Sequence, residues 1–357
     1  MDVTFAPTRR SLRPAGTGSR VVDVDIVVVG AGRAGLGAAR HLRHAGLAAV
    51  GDDGWDEAGP TFVVLDEADQ AGGSWRDCWP GLPLAAAVPE RNLPGLPLAE
   101  TDLTRPACDA LPTYFARYED EYALRVLRPV RVDRVAPDGD RLAVRARMVD
   151  RSEDEVVWRA RGLVNATGSW SRPFWPYHAG QDAFTGRQLH QCDVHDLDDL
   201  TDGHVVVVGA GPGVVHLLAG LAQVTTVTWV TREHPPVTDA DLTPAVRTAV
   251  EHGVLTPRPM FDRIGRHGVW FGPDPVPDGW ADGPAHVVAR TIVWATGFRP
   301  ALAHLAPLHL RLGAGDAVVG PEVLADPRVQ LVGSCAPRPD AARSRVAVRN
   351  LRRHLGL

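Results

Sequence analysis

Two short runs of branched apolar residues stand out along the chain, one at residues 26–29 and one at residues 205–208. Each is followed by a glycine-rich turn and then by a segment rich in Ala, Leu or Val. Continuous apolar runs of this length are typical of strands buried on both faces, and the segments after the turns favour helices. The hydrophobic pattern therefore predicts two strand–turn–helix units.

The first turn reads Gly-Ala-Gly-Arg-Ala-Gly at residues 30–35. Between a strand and a helix, G-x-G-x-x-G indicates a dinucleotide site. Gly30 permits the sharp turn, Gly32 lets a pyrophosphate approach the backbone, and Gly35 lets the helix pack closely on the strand. The helix N-terminus then presents unpaired N–H groups and a positive dipole end to phosphate. The alternative is a structural turn that binds no ligand.

The second turn, at residues 209–214, has the same spacing but departs at its third position. Gly209 and Gly211 match the motif, and Val214 stands where a small residue normally permits close packing, with Gly213 beside it as a partial compensation. Arg232 follows the next predicted strand, where a cation neutralises the 2′-phosphate of NADP. An arginine in a loop is otherwise simply solvated, and both interpretations remain open.

An acidic pair, Asp66 and Glu67, directly follows a predicted second strand at residues 62–65. In dinucleotide folds an acid at this strand end accepts hydrogen bonds from the ribose hydroxyls. The interval from the glycine turn exceeds the usual value of about 20 residues, because a turn-rich insert lies at residues 51–60. We expect Asp66 to contact the ribose, with Glu67 as the second choice and two solvated surface acids as the alternative.

A glycine pair followed by an aromatic residue, at residues 72–75, suits close backbone approach to a flat ring. It adds Gly73, Ser74 and Trp75 as predicted cofactor contacts. Residues 80–112 are rich in Pro and Leu and predict an irregular segment along the cofactor face. Residues 113–126 carry apolar side chains at helical spacing and predict a helix.

Residues 129–164 include alternating apolar and polar positions and predict β-structure. Two apolar strands end in Ala-Thr-Gly, at residues 166–168 and 295–297, and each follows a glycine turn. A small residue and a glycine at a strand end leave room for a neighbouring chain or a ligand. This repeat predicts four further cofactor contacts: Thr167, Gly168, Thr296 and Gly297.

A last strand and turn at residues 330–334 adds Gly333 to the predicted contacts, and residues 341–355 predict a terminal amphipathic helix. Residues 1–20 lack the apolar core of a secretory signal and predict a flexible tail.

The chain has 357 residues and a net charge of -5, with arginines scattered among acids. This balance gives no support for nucleic acid or an anionic membrane as a partner, and no apolar run approaches the ~20 residues of a membrane span.

Four cysteines stand at positions 78, 108, 192 and 335, and no two of them form a C-x-x-C pair. The spacing therefore disfavours a metal site and a dithiol redox pair. Reduced cysteines and a cytoplasmic location fit this pattern best.

The chain resembles the flavin-containing monooxygenase-like (class B) FAD- and NAD(P)-dependent oxidoreductases. The resemblance covers residues 24–356 and rests on both glycine turns, on Gly-Gly-Ser-Trp and on both Ala-Thr-Gly motifs. Its most discriminating motif is F-x-G-x-x-x-H at residues 184–190. It implies bound FAD, reduction by NADPH, and capture of oxygen as a flavin C4a-peroxide that oxygenates a soft nucleophile or a ketone.

Two residues take their expected roles from this resemblance. His190 would belong to the NADP-binding machinery and contribute to movement of that domain rather than to proton transfer. Asn92 lies in the stretch that faces the flavin in such proteins and is a weak candidate for a catalytic hydrogen bond, the alternative being a turn-forming asparagine.

The expected fold is α/β, with two interleaved Rossmann-like three-layer (β/β/α) dinucleotide-binding domains. The FAD domain would comprise residues 21–183 and 290–357, and the NAD(P) domain would be inserted as residues 184–289. The expected activity is an NADPH-dependent monooxygenase acting on a small molecule and oxygen. The alternatives are an NAD(P)H-dependent reductase without oxygenation and a catalytically degenerate flavin-binding protein, while a disulfide reductase is disfavoured because the redox cysteine pair is absent.

Overall fold

The structure is a computed structural model that describes residues 20–57, 59–87, 92–99, 102–150, 155–211, 213–233, 243–310, 326–333 and 341–357. Of the expected tail at residues 1–20, residues 1–19 lie outside the described residues, as do Pro212 and Cys335, while Arg20 begins the first strand. No helix in these ranges is both long enough and apolar enough to cross a membrane.

The first unit is built on a sheet whose central strand contains the chain's first apolar run. This strand pairs with a parallel strand on each side. The strands are β1 Arg20–Val29, β2 Ala48–Ala49, β3 Thr61–Leu65, β4 Val130–Asp138, β5 Arg141–Met148, β6 Glu155–Asn165 and β14 Val329–Leu331. Their order in the sheet is β2-β3-β1-β6-β5-β4, and β14 also pairs with β6. The pairs β1–β3, β1–β6 and β6–β14 are parallel, whereas β4, β5 and β6 form an antiparallel meander.

Alternate residues of β1 face two different cores, which explains why its apolar run is continuous. Ile26 and Val28 pack with the helices on one face, and Val27 and Val29 pack with the meander on the other. The helices of this unit are α1 Arg33–His44, α2 Leu84–Ala87, α3 Ala107–Glu121 and α6 Ala341–Leu355. The arrangement is therefore the three-layer β/β/α sandwich that the sequence predicts.

Helix α3 starts earlier than the predicted helix at residues 113–126. The prediction began after Pro112, a residue that interrupts helix hydrogen bonding. The helix nevertheless runs through Pro112, because Ala107, Ala110 and Leu111 are buried in the core. It ends at Glu121, since Ala123 adopts a left-handed conformation with φ 46°.

The second unit contains β7 Arg187–His190, β8 Val205–Val208, α4 Val214–Val224, β9 Val227–Val230, α5 Pro244–Glu251 and β13 Thr291–Trp294, with an antiparallel sheet of β10 Arg263–Gly265, β11 Gly268–Trp270 and β12 His286–Val288. Its main sheet has four parallel strands in the order β7-β13-β8-β9. Strand β13 pairs with both β7 and β8. The sequence-based boundary at residue 290 assigned this strand to the first unit, so the hydrogen bonding places the crossover later.

Two chain crossings join the units, and they pair with each other. Phe174 N donates to Gly297 O (2.9 Å), Arg299 N donates to Arg172 O (2.8 Å) and Ala301 N donates to Gly168 O (3.0 Å). We call these paired crossings, residues 168–174 and 297–301, the strap. It connects the two Ala-Thr-Gly motifs, so both strand ends meet where the units join.

Candidate functional site

The first glycine turn forms a tight cradle at the carboxyl end of β1. Gly30 has φ 95°, and a Cβ there would lie 2.5 Å from Ala166 O. A Cβ on Gly35 would lie 1.8 Å from Gly30 O, so helix and turn touch at this point. Gly32, the N-cap of α1, has no atom within 4 Å of its Cβ position and no side-chain cap. The cradle is therefore closed on the protein side at Gly30 and Gly35 and open at Gly32.

Two other predicted contacts border this opening. A Cβ on Gly73 would lie 3.0 Å from the Cα of Gly32, and a Cβ on Gly333 would lie 3.1 Å from the Cβ of Ala34. Ser74 is exposed and Trp75 is half-buried within a 3₁₀ helix, Gly73–Asp77. The structure thus brings sequence-distant glycines together around the N-terminus of α1.

Asp66 directly follows β3 and contacts the first glycine turn. Its Oδ1 accepts a hydrogen bond from Ala31 N (3.2 Å), and its Oδ2 accepts one from Arg128 Nε (2.9 Å). Arg128 also binds the Glu119 carboxylate with two hydrogen bonds of 2.6 and 2.7 Å. Asp66 is buried, whereas Glu67 is exposed and pairs with Arg131. Of the two acids, only Asp66 contacts the glycine turn.

The first Ala-Thr-Gly motif rests on a buried polar network. Thr167 Oγ1 donates to Ala301 O (2.8 Å) and accepts from Asn165 Nδ2 (3.0 Å). Asn165 Oδ1 lies 2.7 Å from His304 Nε2, so the imidazole donates to it. Burial lowers the pKa of His304 to about 4. His304 is therefore neutral at physiological pH and holds Asn165, while Thr167 ties the motif to the strap at Ala301.

The second glycine turn, at residues 209–214, forms a cradle like the first, except that its helix starts at a later position in the motif. Gly209 has φ 127°, and a Cβ there would lie 2.1 Å from Ala295 O. Trp229 Nε1 donates to Gly209 O (2.7 Å), which fixes the turn. A Cβ on Gly211 would lie 3.6 Å from Ala295 O, which is an ordinary contact distance. Gly211 therefore offers the same kind of open approach as Gly32.

Val214 fits its position because α4 begins later in the motif than α1 does. Helix α1 starts at the fourth motif residue, Arg33, whereas α4 starts at the sixth, Val214. Gly213 precedes it as a left-handed N-cap with φ 84°. Val214 thus lies at the first helical position, buried in the second unit's core, instead of against the turn as Gly35 does.

The predicted phosphate-binding cation, Arg232, is exposed two residues beyond β9. The pKa of His178 is lowered first by burial and second by the positive charge of Arg232. The His178 ring stacks on Trp294 with a centroid distance of 5.3 Å. Arg232 therefore lies near an aromatic surface at the carboxyl edge of the second sheet.

The His190 side chain is fully buried at the end of β7. It connects the chain segment that enters the second unit with the segment that leaves it. Its Nε2 lies 3.0 Å from Gly297 O, so Nε2 carries the proton, and its Nδ1 lies 3.2 Å from the Cys192 Sγ. Burial lowers the pKa of His190. Thr296 Oγ1 donates to Phe174 O. The imidazole anchors the strap to β7, and the threonine hydroxyl anchors it beside the end of β13.

Asn92 lies on the surface, where its Oδ1 accepts a hydrogen bond from Leu98 N (2.8 Å). This contact closes a loop, in agreement with the alternative of a turn-forming asparagine. The geometry brings Gly73 and Gly333 to the first cradle and His190 to Gly297, and it leaves Asn92 in a structural contact.

Several supporting residues carry no signal in a single sequence. Trp79 packs against α4, since a Cβ on Gly220 would lie 2.8 Å from its ring. Leu82 reaches to 3.6 Å from the Cβ position of Gly213. These contacts join the irregular segment of the first unit to the helix of the second, and tertiary packing alone reveals them.

A family model described as pyridine nucleotide-disulphide oxidoreductase matches residues 24–349. A Baeyer-Villiger monooxygenase from Streptomyces coelicolor is 31% identical over 206 residues, which cover 56% of this chain and 36% of that protein. The chain spans about a third to a half of the length of the first curated relatives that it matches.

Solved structures match over nearly the whole chain. A flavin-containing monooxygenase from Stenotrophomonas maltophilia is 31% identical, with 94% of this chain and 98% of that chain covered and a TM-score of 0.76. A bacillithiol disulfide reductase from Bacillus cereus shares the fold at 17% identity, with 94% and 99% covered and a TM-score of 0.71.

Proposed function

This chain belongs to the pyridine nucleotide-disulphide oxidoreductase family, and we propose that it is an NADPH-dependent flavoprotein monooxygenase that oxygenates a small molecule. The observation that carries the proposal is the end-to-end similarity to a flavin-containing monooxygenase at 31% identity. Both glycine cradles and the strap between them lie within residues 24–349, which the family model matches. The proposed substrates are oxygen and a small organic molecule.

The first cradle fits FAD. Gly32 leaves open space at an uncapped helix N-terminus, where backbone N–H groups and the helix dipole favour a pyrophosphate. Gly73 and Gly333 border the opening, and the buried Asp66 accepts a hydrogen bond from Ala31 N of the turn. An acid at this strand end would also accept hydrogen bonds from the ribose hydroxyls. Bound FAD supplies hydride acceptance and electron transfer to oxygen.

The second cradle fits a nicotinamide coenzyme. Gly209 and Gly211 permit close approach of its pyrophosphate, and the exposed Arg232 would neutralise a 2′-phosphate. The later start of α4 leaves fewer helical N–H groups in the turn, so we expect weaker retention of the coenzyme than of FAD. His190 and Thr296 would act as positioning residues that hold the strap, not as catalytic groups.

The proposed domain division follows the strand pairing. The FAD-binding domain would comprise the first sheet with helices α1, α3 and α6, and the NAD(P)-binding domain would extend through β13.

Free thiols at Cys78, Cys108 and Cys192 support a cytoplasmic location.

The second candidate is an NAD(P)H-dependent reductase without oxygenation. The late start of α4 favours it, because a weakly held coenzyme does not keep water from the flavin. A flavin-binding protein without catalysis is the remaining alternative. The three candidate functions differ in the substrates that the protein would consume and the products that it would release.

The test compares electron flow with product formation. We expect the purified protein to carry FAD, to oxidise NADPH, and to convert a ketone or an organic sulfide with oxygen uptake equal to product formed. Stoichiometric hydrogen peroxide without oxygenated product across both substrate classes would identify the reductase. Bound flavin without NAD(P)H oxidation would identify the degenerate protein.

A further inference from the structure

Three charged side chains form a buried network beside the first cradle, and each comes from a different part of the fold. Asp66 directly follows β3, Glu119 lies in the last turn of α3, and Arg128 lies two residues before β4. Arg128 Nε donates to Asp66 Oδ2 (2.9 Å), and its Nη1 and Nη2 donate to the two carboxylate oxygens of Glu119 (2.6 and 2.7 Å). The three side chains are only 11–13% exposed. One guanidinium therefore joins two carboxylates that are largely removed from solvent.

The backbone fixes the position of Arg128 relative to Asp66. Asp66 N donates to Leu127 O (3.1 Å), and Val130 N donates to Asp66 O (2.7 Å). The chain on both sides of Arg128 is thus hydrogen-bonded to Asp66. The two parallel hydrogen bonds to Glu119 then set the plane of the guanidinium. Arg128 Nε is therefore aimed at one defined oxygen of Asp66.

The Asp66 carboxylate has room for further hydrogen bonds. Its Oδ1 accepts from Ala31 N (3.2 Å) of the glycine turn, and its Oδ2 accepts from Arg128. Each carboxylate oxygen can accept two hydrogen bonds, so these contacts use one acceptor position on each. An acid at this strand end accepts hydrogen bonds from the ribose hydroxyls of a dinucleotide. The contacts to Ala31 and Arg128 therefore set the direction in which the remaining acceptor positions point.

We propose that Arg128, braced by Glu119, is a positioning residue that holds Asp66 in the orientation that binds the adenosine ribose of FAD. This inference rests on the proposed function, because it takes FAD as the ligand of the first cradle. Both residues act through Asp66 and are not catalytic. The alternative is a network that fastens β3, α3 and β4 together and has no effect on the ribose.

The charges explain why both partners of Asp66 are needed. Burial raises the pKa of Glu119, and Arg128 opposes this rise. Without Arg128 two buried carboxylates would face each other, and one of them would take up a proton. Without the charge of Glu119, the guanidinium fork could turn to both oxygens of Asp66 and occupy the positions left for the ribose. Either change should therefore weaken the contact with the ribose hydroxyls.

The test measures how much the ribose hydroxyls contribute to FAD binding. The full chain is freed of flavin and titrated with FAD and with the analogue that carries 2′,3′-dideoxyadenosine, and flavin fluorescence gives each Kd. The wild type should bind FAD about tenfold or more tightly than the analogue, since a hydrogen bond to a charged group contributes at least this much. A network that only fastens the fold would change both Kd values by the same factor, whereas a positioning role changes their ratio.

Arg128→Met and Glu119→Gln should each reduce the preference for FAD over the analogue by about threefold or more. Arg128→Lys keeps the charge but loses the rigid fork, so it should reduce the preference too, and it decides the question if Arg128→Met does not fold. Arg131→Met is the matched control, because Arg131 pairs with the exposed Glu67 on the same side of the chain's second strand end. It should keep the wild-type preference.

An unchanged preference in the folded Arg128 variants or in Glu119→Gln overturns the inference. A preference lost in Arg131→Met also overturns it, since the ribose contact would then belong to Glu67. A wild type that binds FAD and the analogue equally refutes the positioning role and leaves the proposed function standing. A wild type that binds neither refutes the proposed function, and this inference with it.

Discussion

At the residue scale, the glycines of the two cradles divide into those that the protein itself requires and those that a ligand requires. Gly30, Gly35 and Gly209 each have a carbonyl oxygen within 2.5 Å of the Cβ position. Gly32 and Gly211 have none closer than 3.6 Å, and neither has a left-handed φ. Substitution at the second group should therefore change binding without disturbing the fold.

Gly32→Val and Gly211→Val form a matched pair for the two cofactor sites. We expect Gly32→Val to fold and lose FAD, because its side chain occupies the approach of the pyrophosphate. We expect Gly211→Val to keep FAD and to show a raised KM for NADPH. Flavin absorbance and coenzyme titration measure both effects, and full FAD occupancy in Gly32→Val would show that the first site is misassigned.

Arg232→Ala tests the choice of coenzyme. A charge-assisted contact to phosphate is worth ~1.5–3 kcal/mol, so its loss should lower the NADPH/NADH preference about tenfold or more in kcat/KM. Arg247→Ala, an exposed arginine on α5 of the same unit, should leave the ratio unchanged. An Arg232→Ala protein with the wild-type ratio would refute the assignment.

His304 should make the stability of the protein depend on pH. Its pKa is lowered from 6.5 to about 4 by burial, so the unfolded chain binds a proton that the folded chain refuses. Its contribution is complete above pH 6.5 and is lost as the pH falls towards 4, by up to about 3 kcal/mol.

The measurement is the difference between wild type and His304→Gln in urea unfolding at several pH values. Glutamine can still donate to Asn165 but does not titrate. His41, whose pKa is also lowered to about 4, is present in both proteins and cancels. Parallel stability curves from pH 7 to pH 4 would contradict the expectation.

At the element scale, helix α4 is held at two points by the irregular segment that follows the 3₁₀ helix of the first unit. Trp79 contacts it at Gly220, and Leu82 contacts it at Gly213. Glycine at position 220 has no turn to make, because it lies inside the helix. Its absence of a side chain serves the packing of Trp79 and Leu197.

A double-mutant cycle of Trp79→Ala and Gly220→Ala tests this contact. Gly220→Ala in the wild type should lower the free energy of unfolding by ~1–3 kcal/mol, because its Cβ would lie 2.8 Å from Trp79. In the Trp79→Ala protein the cost should shrink, as the ring is gone and alanine favours the helix by up to ~1 kcal/mol. Additivity within about 0.5 kcal/mol would show that the two residues do not interact.

At the scale of the whole molecule, FAD should stabilise the folded protein by mass action. FAD at 100 times its Kd should add about 2.7 kcal/mol to the free energy of unfolding, and Tm should rise with the logarithm of FAD concentration. Thermal melting of the deflavinated protein at several FAD concentrations measures this. The Gly32→Val protein is the control and should show no dependence on FAD.

The sequence predicts the architecture well because the architecture rests on local patterns. The apolar runs, the glycine turns and the terminal helix at residues 341–355 all correspond to observed elements. Residue-pair contacts are different, since no single-sequence signal relates Arg128 to Asp66 or His304 to Asn165. The boundary at residue 290 and the start of α3 at Ala107 depended on tertiary pairing and burial, which local patterns do not record.

The strap has a consequence for how the two units can move. A single tether would let one unit tumble freely about the other, whereas two hydrogen-bonded tethers lying side by side behave as a flat ribbon. A ribbon flexes across its thin direction and resists bending within its own plane. Bending of this ribbon is further limited by Trp79 and Leu82, which hold α4 of the second unit against the first unit.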